Sequence, residues 1–213
     1  MSQDIKVSEL LCTKLCHDLA GPVGAVDNGI DFLDSDNPQI RKKAHELVKL
    51  SSKQAVNRLI FFRQAYGNIA YDTDLHLSEL KVLILKYIED SKLQLIFADT
   101  AIDDCDLING QLGKLLLNLV VISVHAIMSN GLITITAHFL DNQVKLEVSA
   151  EGNSYKLDGE LINIINWQLA GIKINSRNIQ YYYTALLLQN LKSTINVLEE
   201  KNKVIFTVTH TKR

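Results

Sequence analysis

The sequence predicts an α+β protein in which an N-terminal antiparallel helical hairpin (residues 1–70) precedes a mixed unit of helices and strands (residues 71–213). Apolar residues recur every three or four positions through two long stretches, the signature of amphipathic helices. A cluster of turn formers, Asp34-Ser35-Asp36-Asn37-Pro38, separates those stretches. Beyond residue 75 the spacing changes to short helical segments mixed with strict apolar–polar alternation.

The first helix spans residues 8–33, with Leu11, Leu15, Leu19, Pro22, Val26, Ile30 and Leu33 forming its inner stripe. Ser35 to Asn37 supply caps and Pro38 suits the first turn of a second helix, residues 38–66. Its stripe runs through Ala44, Leu47, Val48, Ser51, Ala55, Leu59, Phe62 and Tyr66, with Arg41, Lys42, Lys43 and Lys53 outside. Two helices cannot close a hydrophobic core alone, so the hairpin must pack on the rest of the chain or on a second hairpin. A homodimer joined through a four-helix bundle is the simplest expectation.

Residues 67–75 read as a linker. Helices are expected over residues 80–90, 110–128, 157–169 and 177–191, and a strand over residues 94–98. Residues 132–139 and 144–150 alternate on either side of Asp141-Asn142, and residues 194–199 and 204–209 on either side of Glu200-Lys201-Asn202-Lys203; both read as hairpins.

No apolar run approaches the roughly 20 residues of a membrane span, and Met1-Ser2-Gln3-Asp4-Ile5-Lys6 does not resemble a secretory leader; a cytoplasmic protein without membrane contact is expected. The 22 basic and 24 acidic side chains provide no broad basic surface for direct nucleic-acid binding. Cys12, Cys16 and Cys105 are an odd set, read as reduced thiols in packing positions. His45, His76, His125, His138 and His210 lack paired metal-ligand spacing, so no metal centre is expected.

At about 100° per residue, His17 points nearly opposite the inner stripe of the first helix and should be exposed. Leu10, Lys14, Gly21, Gly24 and Asn28 share that outer side. A glycine inside a helix costs about 1 kcal/mol relative to alanine, so two of them beside an exposed imidazole suggest a bare docking surface for another protein. An imidazole, with an ordinary pKa of about 6.5, offers a neutral nucleophilic nitrogen near pH 7. Asp18 is placed to orient it, and Lys14 to hold a phosphoryl group's charge.

His17-Asp18-Leu19-Ala20-Gly21-Pro22 resembles the phospho-accepting box of histidine kinases. The longer segment from Leu15 to Gly29, LCHDLAGPVGAVDNG, resembles the signature of ChpT-type histidine phosphotransferases, and the likeness extends over nearly the whole chain. It implies a dimerisation hairpin followed by a degenerate histidine-kinase ATPase-like α/β sandwich. It also implies a relay in which His17 takes a phosphoryl group from the receiver domain of a hybrid histidine kinase and passes it to response regulators. Mg²⁺ would be supplied by the receiver domain, and part of the C-terminal unit would be a second contact.

A working kinase would need further parts in the C-terminal half. Residues 114–123 resemble an asparagine box, but Ile122 stands where the second, metal-holding asparagine is expected, leaving Asn118 as a structural residue. Ser149-Ala150-Glu151-Gly152-Asn153-Ser154 keeps one glycine of an Asp-x-Gly-x-Gly pattern. Asn178-Ile179-Gln180-Tyr181-Tyr182-Tyr183 puts bulky side chains where backbone should approach phosphate, with at least one tyrosine facing the core. No ATP and no other bound cofactor is therefore expected. An atypical ATP-dependent kinase and a non-catalytic dimeric adaptor remain the rival readings.

Overall fold

The computed structural model describes residues 3–70, 73–98, 107–140 and 142–211. Cys105 and Asp141, named above, lie outside them. The hairpin is formed by α1 (Gln3–Ile30) and α2 (Pro38–Tyr66). The first helix starts earlier than its periodicity implies and stops at Ile30, where the Phe32 and Leu33 amides turn back onto the Gly29 and Ile30 carbonyls. Asn37 caps α2 by accepting from the Gln39 amide at 2.9 Å, and Pro38 follows at the first helical position.

Then come β1 (Asp74–His76), α3 (Leu77–Ile88), β2 (Leu93–Phe97), β3 (Leu107–Asn109), α4 (Gly110–Ala126), β4 (Gly131–Leu140), β5 (Gln143–Gly152), α5 (Gly159–Ile165), α6 (Ile179–Leu191), β6 (Thr194–Glu200) and β7 (Lys203–Thr211). The expected linker over residues 67–75 ends in β1, which pairs antiparallel with β3. Three-residue strands are too short for alternation to register, so the sequence does not reveal this pairing. The helix expected over residues 157–169 contracts to α5, capped by Asp158.

The main sheet has the order β2-β4-β5-β7-β6, with β2 and β4 parallel and the other neighbours antiparallel. Alternation sends Ile133, Ile135 and Ala137 of β4, Val144, Leu146, Val148 and Ala150 of β5, and Val204, Phe206 and Val208 of β7 to one face. Register aligns Ile135 with Val148, and Val148 with Phe206, so these residues form continuous rows beneath α4 and α6. Helix α4 is buried along nearly its whole length, including Leu115, Leu116, Leu117, Val120 and Val121.

The hairpin joins this core. Phe61, Phe62 and Ala65 of α2 are buried in it, and Phe61 stacks on Tyr87 of α3 with ring centroids 3.9 Å apart. Leu11, Leu15 and Leu19 of α1 pack partly buried against the same cluster. Pro22 continues the stripe as a buried residue, but Ile30 is 52% exposed, contrary to expectation. Buried Gly29 takes its place: a Cβ there would stand 2.7 Å from Val48 Cγ2, so the helices cross too closely for a side chain. On α2, Leu47 and Leu59 are likewise exposed rather than inner residues, because α1 covers a narrower stripe than periodicity alone implies. No helix among the described residues is long and apolar enough to cross a membrane.

Candidate functional site

His17 lies midway along α1, and its side chain is 87% exposed. Its Nδ1 is 3.3 Å from Asp18 Oδ1, while Lys14 Nζ donates to Asp18 Oδ2 at 2.9 Å. The Lys14 and Asp18 side chains are each only 14% exposed, so one carboxylate is braced from the protein side and presents its other oxygen to the imidazole. Burial alone would raise the Asp18 carboxyl, but the hydrogen bond and charge of Lys14, joined by the bond to His17, outweigh it and hold the group below its usual value. Asp18 is therefore ionised at neutral pH and accepts hydrogen bonds with both oxygens.

Lys14 departs from the expected outer face. With Asp18 one turn on, it occupies the flank between stripe and solvent. Leu10, also expected outside, packs against the core, beside the segment Gly171 to Ile174. Gly21 and Asn28 are exposed and Gly24 half-buried; a Cβ on Gly21 or Gly24 would meet no atom within 4 Å. Nothing in this chain requires glycine at those two positions. Cys12 and Cys16 are free thiols in exposed positions, not packed ones, because the face they occupy is not covered by α2. Among the described residues no group of His, Cys, Asp and Glu is arranged to hold a metal ion.

Periodicity and motif spacing single out neither of two further residues of the site, and only Pro22, which frees the Asp18 carbonyl, hints at one of them. Arg58 of α2 donates from Nη1 to the Asp18 carbonyl at 2.6 Å. His125, in the last turn of α4, feels the charges of Lys14, Asp18 and Arg58. Loss of hydration, then the charge of Lys14, pushes its imidazole down to about 4 against the pull of Asp18, although the residue keeps an exposed flank. Both lie far from His17 in sequence, and only the tertiary fold brings Arg58 onto the Asp18 carbonyl and His125 within reach of the Asp18 charge.

In the C-terminal half, Asn118 is fully buried; its Nδ2 donates to the Ala65 and Lys114 carbonyls at 2.9 and 2.8 Å, and its Oδ1 accepts from Gln180 Nε2 at 2.7 Å. The Tyr66 hydroxyl donates to Gln180 Oε1, completing a buried chain from hairpin to α6. Ile122 is fully buried. Tyr181 and Tyr182 are buried, with Tyr182 stacked on Trp167 at 5.5 Å, and the Asn178 side chain is occupied by the Asn175 amide and the Lys173 carbonyl.

A protein phosphotransferase ChpT from Brucella abortus (strain 2308) is 24% identical over 207 residues, covering 95% of this chain and 94% of that protein. A solved bacterial phosphotransferase is 23% identical and superposes with a TM-score of 0.82 over 98% of this chain and 97% of its own. The histidine kinase ThkA, solved in complex with the response regulator protein TrrA, shares the fold more distantly: 15% identity and a TM-score of 0.50, over 99% of this chain and 64% of that one. Residues 77–203 match the family described as histidine phosphotransferase C-terminal domain, and since that match covers more than half of the 213 residues, the chain belongs to the histidine phosphotransferase family and is a phosphotransferase of phosphorelay signalling.

Proposed function

We propose that His17 is the phosphoryl-carrying residue of the relay, loaded by the receiver domain of a hybrid histidine kinase and unloaded onto response regulators. The observation that carries this is the exposed imidazole whose Nδ1 faces a braced carboxylate. A proton held on Nδ1 by Asp18 leaves the Nε2 lone pair directed to solvent. That nitrogen attacks the phosphorus of an aspartyl phosphate, the acyl oxygen–phosphorus bond breaks, and the receiver carboxylate departs. Asp18 then stabilises the cationic phosphoimidazole, and the reverse attack by a second receiver's aspartate regenerates His17.

The phosphoryl charge in flight would be met chiefly by the receiver's own Mg²⁺. Gly21, Gly24 and Asn28 provide the docking surface: the two glycines offer no Cβ to obstruct a partner near the imidazole. Lys14, tied to Asp18, acts as a brace in this scheme. Occupation of Asn118, Asn178 and the buried tyrosines by internal packing supports loading without ATP.

The hairpin would dimerise through its uncovered apolar side, where Leu59 is 58% and Val23 55% exposed, with Val56 and Ile60 nearby. A groove lined by Leu15, Leu19, Phe62 and Tyr66 lies along the same side. The test is to incubate the full chain with a radiolabelled phospho-receiver. Label is expected on the wild type and absent from His17→Ala; equal labelling of the two contradicts the proposal.

A further inference from the structure

Pro22 is the only proline inside α1, and it sits four residues after Asp18. In an uninterrupted helix the amide of residue 22 would donate to the carbonyl of residue 18, but proline has no N–H. The Asp18 carbonyl therefore loses its helical donor one residue beyond His17. Arg58 supplies the replacement from α2, with Nη1 2.6 Å from that oxygen. A charged donor at this distance makes a strong bond. Arg58 is partly buried where α1, α2 and α3 meet, close enough to Tyr87 for its charge to be felt there. Tyr87 is itself stacked on Phe61 in the packed part of the molecule.

We propose that Arg58 is a positioning residue for phosphotransfer: by filling the vacancy that Pro22 opens at the Asp18 carbonyl, it fixes the α1 backbone at the reactive turn. This inference rests on the relay reading of His17 and deepens it. Arg58 need not touch the phosphoryl group. It acts through Asp18, whose backbone it ties to α2 and whose carboxylate orients the imidazole. Pro22 and Arg58 thus form one device: proline exposes the acceptor and arginine captures it. The device attaches the reactive turn to the neighbouring helix and leaves the outer face of His17 open.

The pairing predicts a specific non-additivity, because alanine at position 22 restores the amide and makes the arginine dispensable for this bond. The full chain is compared as wild type, Arg58→Met, Pro22→Ala and the double variant, using a receiver domain charged with radiolabelled acetyl phosphate. Arg58→Met is expected to slow transfer at saturating receiver by about tenfold, with half-saturation little changed. In the Pro22→Ala background the same substitution should change the rate by less than about twofold. Heteronuclear NMR of the imidazole nitrogens gives a second readout on the resting protein: Arg58→Met should shift His17 away from the Nδ1–H tautomer, and adding Pro22→Ala should reverse the shift.

Arg58→Gln replaces Arg58→Met throughout if the latter does not fold. An Arg58 variant with wild-type rate and tautomer, or an arginine effect of equal size in both backgrounds, overturns the proposal. If the wild type itself accepts no label, the relay reading fails, while the tautomer comparison still decides whether Arg58 positions His17.

Discussion

Asp18 has two oxygens with different tasks: one is held by Lys14, the other faces His17 Nδ1. Its carboxyl lies below the ordinary 3.8, so its stabilising contribution is fully present above that pH and is lost as pH falls through the lower folded value. Denaturation midpoints of wild type and Asp18→Asn should therefore differ by a constant amount near neutrality and converge in acid; a gap that persists below the folded value would contradict the assignment. The exposure of His17 and its pairing with Asp18 are legible in sequence, because helical periodicity fixes the direction of one and adjacency the other. Lys14 is not, since its inward lean depends on cover from outside the helix. Arg58 is half-legible: Pro22 announces a free carbonyl at Asp18, but only the α1–α2 register names the donor.

Within α1, three glycines obey two different rules. Gly29 is a packing residue at the crossing with α2, whereas Gly21 and Gly24 face open space. Gly29→Leu should destabilise the fold by about 1–3 kcal/mol through overpacking. Gly21→Ala should stabilise it by up to about 1 kcal/mol through helix propensity. Gly21→Leu or Gly24→Leu should leave thermal unfolding cooperative while blocking label transfer from a phospho-receiver. Thermal melts and transfer assays on the same four proteins separate packing from docking; unimpeded transfer to both leucine variants would show that this face is not the docking surface. The sequence displays the glycines but not this division, because a crossing point depends on the partner helix.

Across the molecule, the Asn118–Gln180–Tyr66 chain joins α4, α6 and the end of α2. The residue that resembles a kinase asparagine here holds Ala65 of the hairpin to the C-terminal core. Asn118→Ala leaves the Ala65 carbonyl and the Gln180 amide without this partner, and should cost about 1–3 kcal/mol. Hydrogen exchange should rise at the end of α2 more than in β5, and a uniform rise would argue against a local clamp. The central hairpin of the main sheet is legible because apolar and polar residues alternate from Ile133 to Phe139 in β4 and from Val144 to Ala150 in β5. The β1–β3 pair is not, being three residues a side and joined across a long separation.

The central claim is that one imidazole carries the phosphoryl group between two receivers. Its most direct test is a two-receiver chase without nucleotide: a labelled first receiver, catalytic amounts of this protein, and an unlabelled second receiver. Label should reach the second receiver through an acid-labile intermediate on wild-type protein and fail to do so with His17→Ala. Label arriving at the second receiver equally fast with His17→Ala would contradict the account.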